Sequence, residues 1–385
     1  MKYWRGYLVA AIFAACTWGF REFAQTHSKL VDMIYPYVTR LIQNFMAAWS
    51  GDVTFLVWQA IILALAVAAV ASIVLMIIFK WNPIQWFGWI LAVASIIVLL
   101  HTGIFGMNEF AGPIAEDIRL SQSERTEEQL KAAAIYYRDQ ANTLSGKVSR
   151  DGSGNVKLPE LSVLNAQAES GFKNLVYENY YSVFAGSTLP VKELGMAEIF
   201  TSRGQMGYTA AITGEAAVNM EAPSFVIPFA ISREMCYRMC IASERDKHFG
   251  AFLACQANDT AEFRYAGFVM AYRYCLNALP DAVASTVASQ ANAQVRGDMD
   301  SWEVFVAPAI KLAEEKAAKE DKKPEDVDGQ IAGLLTDWHY QTVVLPSLVE
   351  PEVEFDPMDE SQVDLTGLPH APQPTEPTEE AAGWI

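Results

Sequence analysis

The residues with the greatest chemical capacity fall in one block, from Gly214 to Leu279. It carries Glu215 and Asn219, then Arg233-Glu234-Met235-Cys236-Tyr237, then Glu244, Asp246 and His248. Carboxylates, thiols and an imidazole this close in sequence could do acid–base work or bind a metal. Cys236 and Cys240 are one helical turn apart and share a face, as do Glu244 and His248. Cys236, Cys240 and His248 are therefore candidates for a metal site. The plainer reading is small packing thiols and a solvated histidine. Cys255 and Cys275 complete a group without CxxC spacing, which argues against a zinc ribbon or a thioredoxin-type site. Outside the cytoplasm these four thiols could oxidise.

The elements that must position these residues are mostly helical. Periodicity predicts helices near Ile227–Met239, Arg245–Gln256, Ala261–Leu279, Asp281–Arg296 and Trp302–Lys319. Thr126-Glu127-Glu128-Gln129 is a capping box opening a helix to about Leu144. Gly207 to Met220 is the best strand candidate, with Tyr208, Ile212 and Val218 among small residues. Trp338 and His339 fall in a helix with no assignable role. The class is mainly α with a small β element.

The chain of 385 residues is 52% hydrophobic and 19% charged, and the apolar excess sits at the N-terminus. Residues 55–79 and 84–105 are strong membrane spans, since about 20 apolar residues cross the hydrocarbon core. Trp81, Trp86 and Trp89 form an interfacial belt, and Asn82-Pro83 makes the reversal. Residues 3–20 are a weaker span. A signal peptide competes there, and Phe13-Ala14-Ala15-Cys16 resembles a lipobox at which Cys16 would be processed. His101 near the end of its span fits the headgroup zone.

Lys2, Arg5 and Lys80 orient a multi-pass cell-membrane protein with a cytoplasmic N-terminus and its C-terminal domain outside. Within 30–49, Leu30, Ile34, Val38, Leu41, Phe45 and Trp49 form an amphipathic stripe interrupted by Pro36. It either lies along the membrane surface or packs against the globular domain. The expected domains are a membrane domain over 1–110, an extracytoplasmic domain over 111–349, and a disordered tail over 350–385. That tail holds ten acidic side chains, six prolines and no Lys or Arg, and supplies much of the net charge of −17. No basic stripe exists, so nucleic acid is not an expected partner.

The order Gly214-Glu215-Ala216-Ala217-Val218-Asn219, Pro228-Phe229, Arg233-Glu234-Met235-Cys236-Tyr237, Phe263-Arg264-Tyr265-Ala266-Gly267 resembles a bacterial membrane family, domain of unknown function 3810. Tyr35-Pro36 and Phe105-Gly106-Met107-Asn108 match it as well. The resemblance implies three N-terminal transmembrane helices and a zincin-like α+β domain whose helix carries HExxH. In that motif two histidines on one helix face bind zinc, and the glutamate between them polarises the bound water. Here Arg233 and Tyr237 stand at the histidine positions, Glu234 is retained, and Asp246 stands at the third-ligand position.

Arginine has no lone pair to offer, and tyrosine ionises only near pH 10. The resemblance therefore implies zinc for the family and its loss here, leaving Glu234 without a water to activate. Arg233 is expected to pair with Asp246 or Glu244 in place of the metal. Glu215 and Asn219 are expected beside a peptide groove. The reading is a membrane-anchored, catalytically degenerate metallopeptidase-like protein that binds a peptide or a membrane-protein partner, or serves as a scaffold. The alternatives are an active peptidase with non-standard ligands and a purely structural membrane subunit. Cys240 replaces the family's glycine after the motif, so the turn there is open to change.

Overall fold

A computed structural model describes residues 4–348 apart from 180, 321, 322, 324 and 325. The tail 350–385, Lys2 and Tyr3 lie outside the described residues. Four long helices come first: α1 (Arg5–Thr26), α2 (Ser28–Gly51), α3 (Val57–Ile78) and α4 (Pro83–Ile104). Two of them, α3 and α4, are long and apolar enough to cross a membrane. Each has 22 residues, about 33 Å of helix. Asn82 caps α4, its side chain accepting from the amides of Ile84 and Gln85, with Pro83 in the first turn.

Packing among these helices is unequal. α1 lies along α4. Their backbones meet at Gly6 and Gly88, where a Cβ on Gly6 would stand 2.5 Å from the Gly88 carbonyl carbon. Small residues at such a crossing let two helices approach closely. No residue of α3 is buried. It is tied to α4 near the Asn82-Pro83 turn by Trp86 Nε1 donating to Ser72 Oγ at 3.2 Å.

The amphipathic stripe of α2 is resolved against the packing alternative. Leu30, Ile34, Val38, Leu41, Phe45 and Trp49 are all exposed. The opposite face packs inward with Thr39, Gln43, Ala47 and Ser50 buried. Gln43 Nε2 donates to the Ala211 carbonyl at 2.8 Å, and Thr39 bonds Asn108. Small and polar residues are used there because α2 sits directly against backbone: a Cβ on Gly214 would come within 2.6 Å of the Ala47 nitrogen.

The remaining described α-helices of eight residues or more are α5 (Glu127–Ser145), α6 (Leu161–Tyr177), α7 (Ile227–Arg238), α8 (Glu244–Gln256), α9 (Ala261–Asn277), α10 (Asp281–Ala288), α11 (Ala293–Lys319) and α12 (Val327–His339). The capping box at Thr126 forms, with Thr126 and Gln129 bonded reciprocally. α9 is the central core helix, buried from Phe263 to Cys275 save Arg264, and packed by α5, α7, α8 and α12. Gly267 admits α8, since a Cβ there would lie 2.6 Å from Cys255 Cβ. Tyr265 Oη receives Arg150 Nη2 at 3.0 Å and contacts Asp298. Trp338 and His339 are core residues around Tyr137.

Two predicted elements are corrected. The stretch Asp281–Arg296 is not one helix, because Asn292 opens α11 by accepting from the Val295 amide, and Trp302 lies inside that longer helix. The strand over Gly207–Met220 is a hairpin, β2 (Gly207–Ala210) and β3 (Glu215–Val218). Gly214 adopts φ +66° at the reversal, a conformation that favours glycine. With β1 (Lys192–Glu193) they form a sheet of order β1-β3-β2, parallel then antiparallel. β2 is an edge strand with the sheet's open side beyond it.

Candidate functional site

The site lies where α7 passes beneath the β2 edge. α7 starts at a proline-bearing first turn and is buried on almost every side, so its few polar groups must find partners inside. Thr209 Oγ1 donates to Glu234 Oε2 at 2.7 Å, and Glu234 is 2% exposed. Gly207 makes room for this carboxylate: a Cβ there would stand 2.8 Å from Glu234 Cγ.

Arg233 is the hub. Its guanidinium contacts Glu234, donates to Glu244 Oε2 at 2.8 Å, and donates through Nε to His248 Nε2 at 2.8 Å. Burial works against its charge, and Glu234 and Glu244 more than offset that. Burial would raise the Glu244 carboxyl, but Arg233 and Lys247 hold it well below the usual carboxylate range. Lys247 Nζ donates to Glu244 Oε1 at 2.8 Å and lies 4.5 Å from the Tyr237 ring centre. Tyr237 also packs on Phe105, centroids 4.5 Å apart, and burial pushes its phenol upward. Because His248 Nε2 accepts from Arg233, its proton sits on Nδ1, which has no partner in the structure. Burial and then Arg233 push the His248 pKa well below the usual imidazole value.

The predicted site residues separate into two groups. Arg233, Glu234, Tyr237 and Glu244 come together. Asp246 does not: it accepts from Arg245 at 2.9 Å and from the Ile114 amide at 3.4 Å, beside a separate small cavity that also holds Asp32 and Asp117. Of the two expected partners for Arg233, the structure pairs it with Glu244. Glu215 accepts from the amides of Val57 and Trp58, both at 2.9 Å, and from Lys192 at 2.8 Å. It caps α3. Asn219 donates to Thr201 Oγ1 and the Gln205 carbonyl, holding the end of β3.

The five cysteines are free thiols; Cys236, Cys240, Cys255 and Cys275 are buried and Cys16 is exposed. Cys240 adopts a left-handed conformation, φ +72°, just after α7, at a place where a helix end favours glycine.

Arg233 fills the hub position with a cation, Tyr237 is packed between Phe105 and Lys247, and Asp246 faces elsewhere. Among the described residues, no three His, Cys, Asp or Glu side chains group to hold a metal. Thr209, Lys247 and the bond from Arg233 to His248 carried no sequence signal, because each depends on a neighbour distant in the chain.

Two cavities meet at Arg233 and share Gln205 and Gly207. One, about 530 Å³, runs toward Trp302, Arg273 and Asp328. The other, about 850 Å³, opens between the β2 edge, the N-terminal part of α3 and the C-terminal part of α4.

A mostly helical protein with two membrane-length helices and a buried ionic cluster under an edge strand is the class defined here. The chain belongs to the family described as Protein of unknown function (DUF3810), whose model matches residues 31–319. No curated protein and no solved structure gives a significant match.

Proposed function

We propose that this protein is a membrane-anchored, catalytically degenerate metallopeptidase-like protein that binds an extended peptide without hydrolysing it. In this reading α1 crosses the membrane with α3 and α4, and the domain from residue 111 onward stands outside the cytoplasm. The observation that carries the proposal is Arg233 at the hub of the RExxY helix. It engages Glu234, Glu244 and His248 together, where a peptidase of this pattern would hold its metal. The edge of β2 lies directly above, with a groove on its open side. Adding a strand to such an edge supplies backbone hydrogen bonds without any catalytic group.

The test is binding and cleavage of fluorescein-labelled, unstructured casein fragments by the purified full chain, with and without a chelator. Saturable binding that is indifferent to chelator, with no cleavage, supports the proposal. Chelator-sensitive cleavage would establish an active peptidase with other ligands. Absence of binding would leave a structural membrane subunit.

A further inference from the structure

The larger cavity has two unlike walls. One is the β2 edge with Glu234, Tyr237 and Arg233; the other is the apolar faces of Ile61, Ile62 and Leu65 on α3 and Leu100 on α4. Leu65 lies eight residues below Val57, about 12 Å along the helix and within the outer half of a hydrocarbon core about 30 Å thick. The cavity therefore joins the peptide-binding edge to membrane depth.

α3 and α4 stand apart there. They are joined by the Asn82-Pro83 turn and by Trp86 to Ser72. At the outer end, α3 is pulled to the sheet by Glu215 and by Gln59, whose Nε2 donates to the Gly195 carbonyl at 2.7 Å. α4 is held instead by α1 and α2, with Tyr35 Oη donating to the Thr102 carbonyl at 2.9 Å. The two helices are thus anchored to different parts of the molecule.

Charge selects among occupants. Arg233 and Lys247 are paired with Glu234 and Glu244, two cations against two anions, and Glu109 at the rim pairs with Arg21. Among the described residues, an anionic headgroup finds no free cation there. A neutral main chain finds a strand edge, and an apolar segment continuing from it finds the α3–α4 wall.

We propose that the cavity receives the membrane-proximal segment of another membrane protein: an uncharged extended stretch on β2, continuous with an apolar span between α3 and α4. This rests on the peptide-binding reading above and adds that the client arrives from the bilayer.

The test uses the full chain in phosphatidylethanolamine–phosphatidylglycerol nanodiscs, with photoreactive benzoylphenylalanine in place of Tyr208 or of Leu65. The probe is a synthetic peptide of about ten Ser, Thr and Val residues joined to a Leu/Ala span of about 20 residues, made in both orders. Controls are the polar stretch alone and the span alone. The expected result is crosslinking of the joined peptide at both positions, at concentrations at least ~10-fold below either part, a gain of about 1.4 kcal/mol. Equal crosslinking at Tyr208 by the polar stretch alone, with only phospholipid captured at Leu65, overturns this inference and leaves peptide binding standing. No peptide crosslink at Tyr208 overturns both.

Discussion

Arg233 ties two carboxylates and an imidazole together at one point. Glu234 is 2% exposed and its counter-charge is Arg233, so Arg233→Met would strand a buried carboxylate. Breaking such a pair costs about 3–5 kcal/mol. The bond to Glu244 adds little, since that side chain is 54% exposed. Thermal unfolding in detergent should show a clear drop for Arg233→Met and a smaller one for Arg233→Lys, which keeps the charge but not the planar fork. An unchanged midpoint for Arg233→Met would refute the hub role. His248 gives a pH signature. Its folded pKa lies well below the unfolded value of about 6.5, so its contribution is fully present above that value and is lost as pH falls through the folded pKa. His248→Gln should flatten the acid limb of stability against pH relative to the parent chain.

Glu215 does for an element what Arg233 does for the site. A single carboxylate, 2% exposed, closes the first turn of α3 and neutralises Lys192, so it joins that helix to the central strand. Glu215→Ala leaves Lys192 without its carboxylate and the α3 amides uncapped, and is expected to cost about 3–5 kcal/mol. Glu215→Gln, which retains an acceptor, should cost less; equal losses for the two would show that the charge is irrelevant. The α1–α4 crossing depends on having no side chains at contact. Gly6→Leu must push the helices apart, because even a Cβ would lie 2.5 Å from backbone. A disulfide engineered between α1 and α4 should then form more slowly than in the parent.

The whole molecule is a mostly helical body set on α3 and α4, two helices of membrane length, with the exposed apolar face of α2 turned away from that body. A face of this kind suits the membrane surface. The cations near the ends of the N-terminal helices predict the orientation. Gly152→Cys sits in an open turn where an added side chain meets nothing within 4 Å, and should be labelled by an impermeant maleimide on intact cells. Lys80→Cys should be labelled only after permeabilisation. The reverse pattern would invert the topology.

Features that depend on neighbours along the chain were legible in the order of amino acids. The two long apolar runs, the capping box at Thr126 and the helices of the Gly214–Leu279 block are local in origin, and the family is legible in that block. The pairing of Arg233 with one of two nearby acids was legible; which acid was not. Glu244 and Asp246 are two residues apart on α8, about 200° around the helix. One therefore reaches Arg233 while the other faces Ile114. The hairpin at Gly214, the inward face of α2 and the separation of α3 from α4 were likewise decided by tertiary contacts, since each answers to backbone or carboxylates far away in sequence.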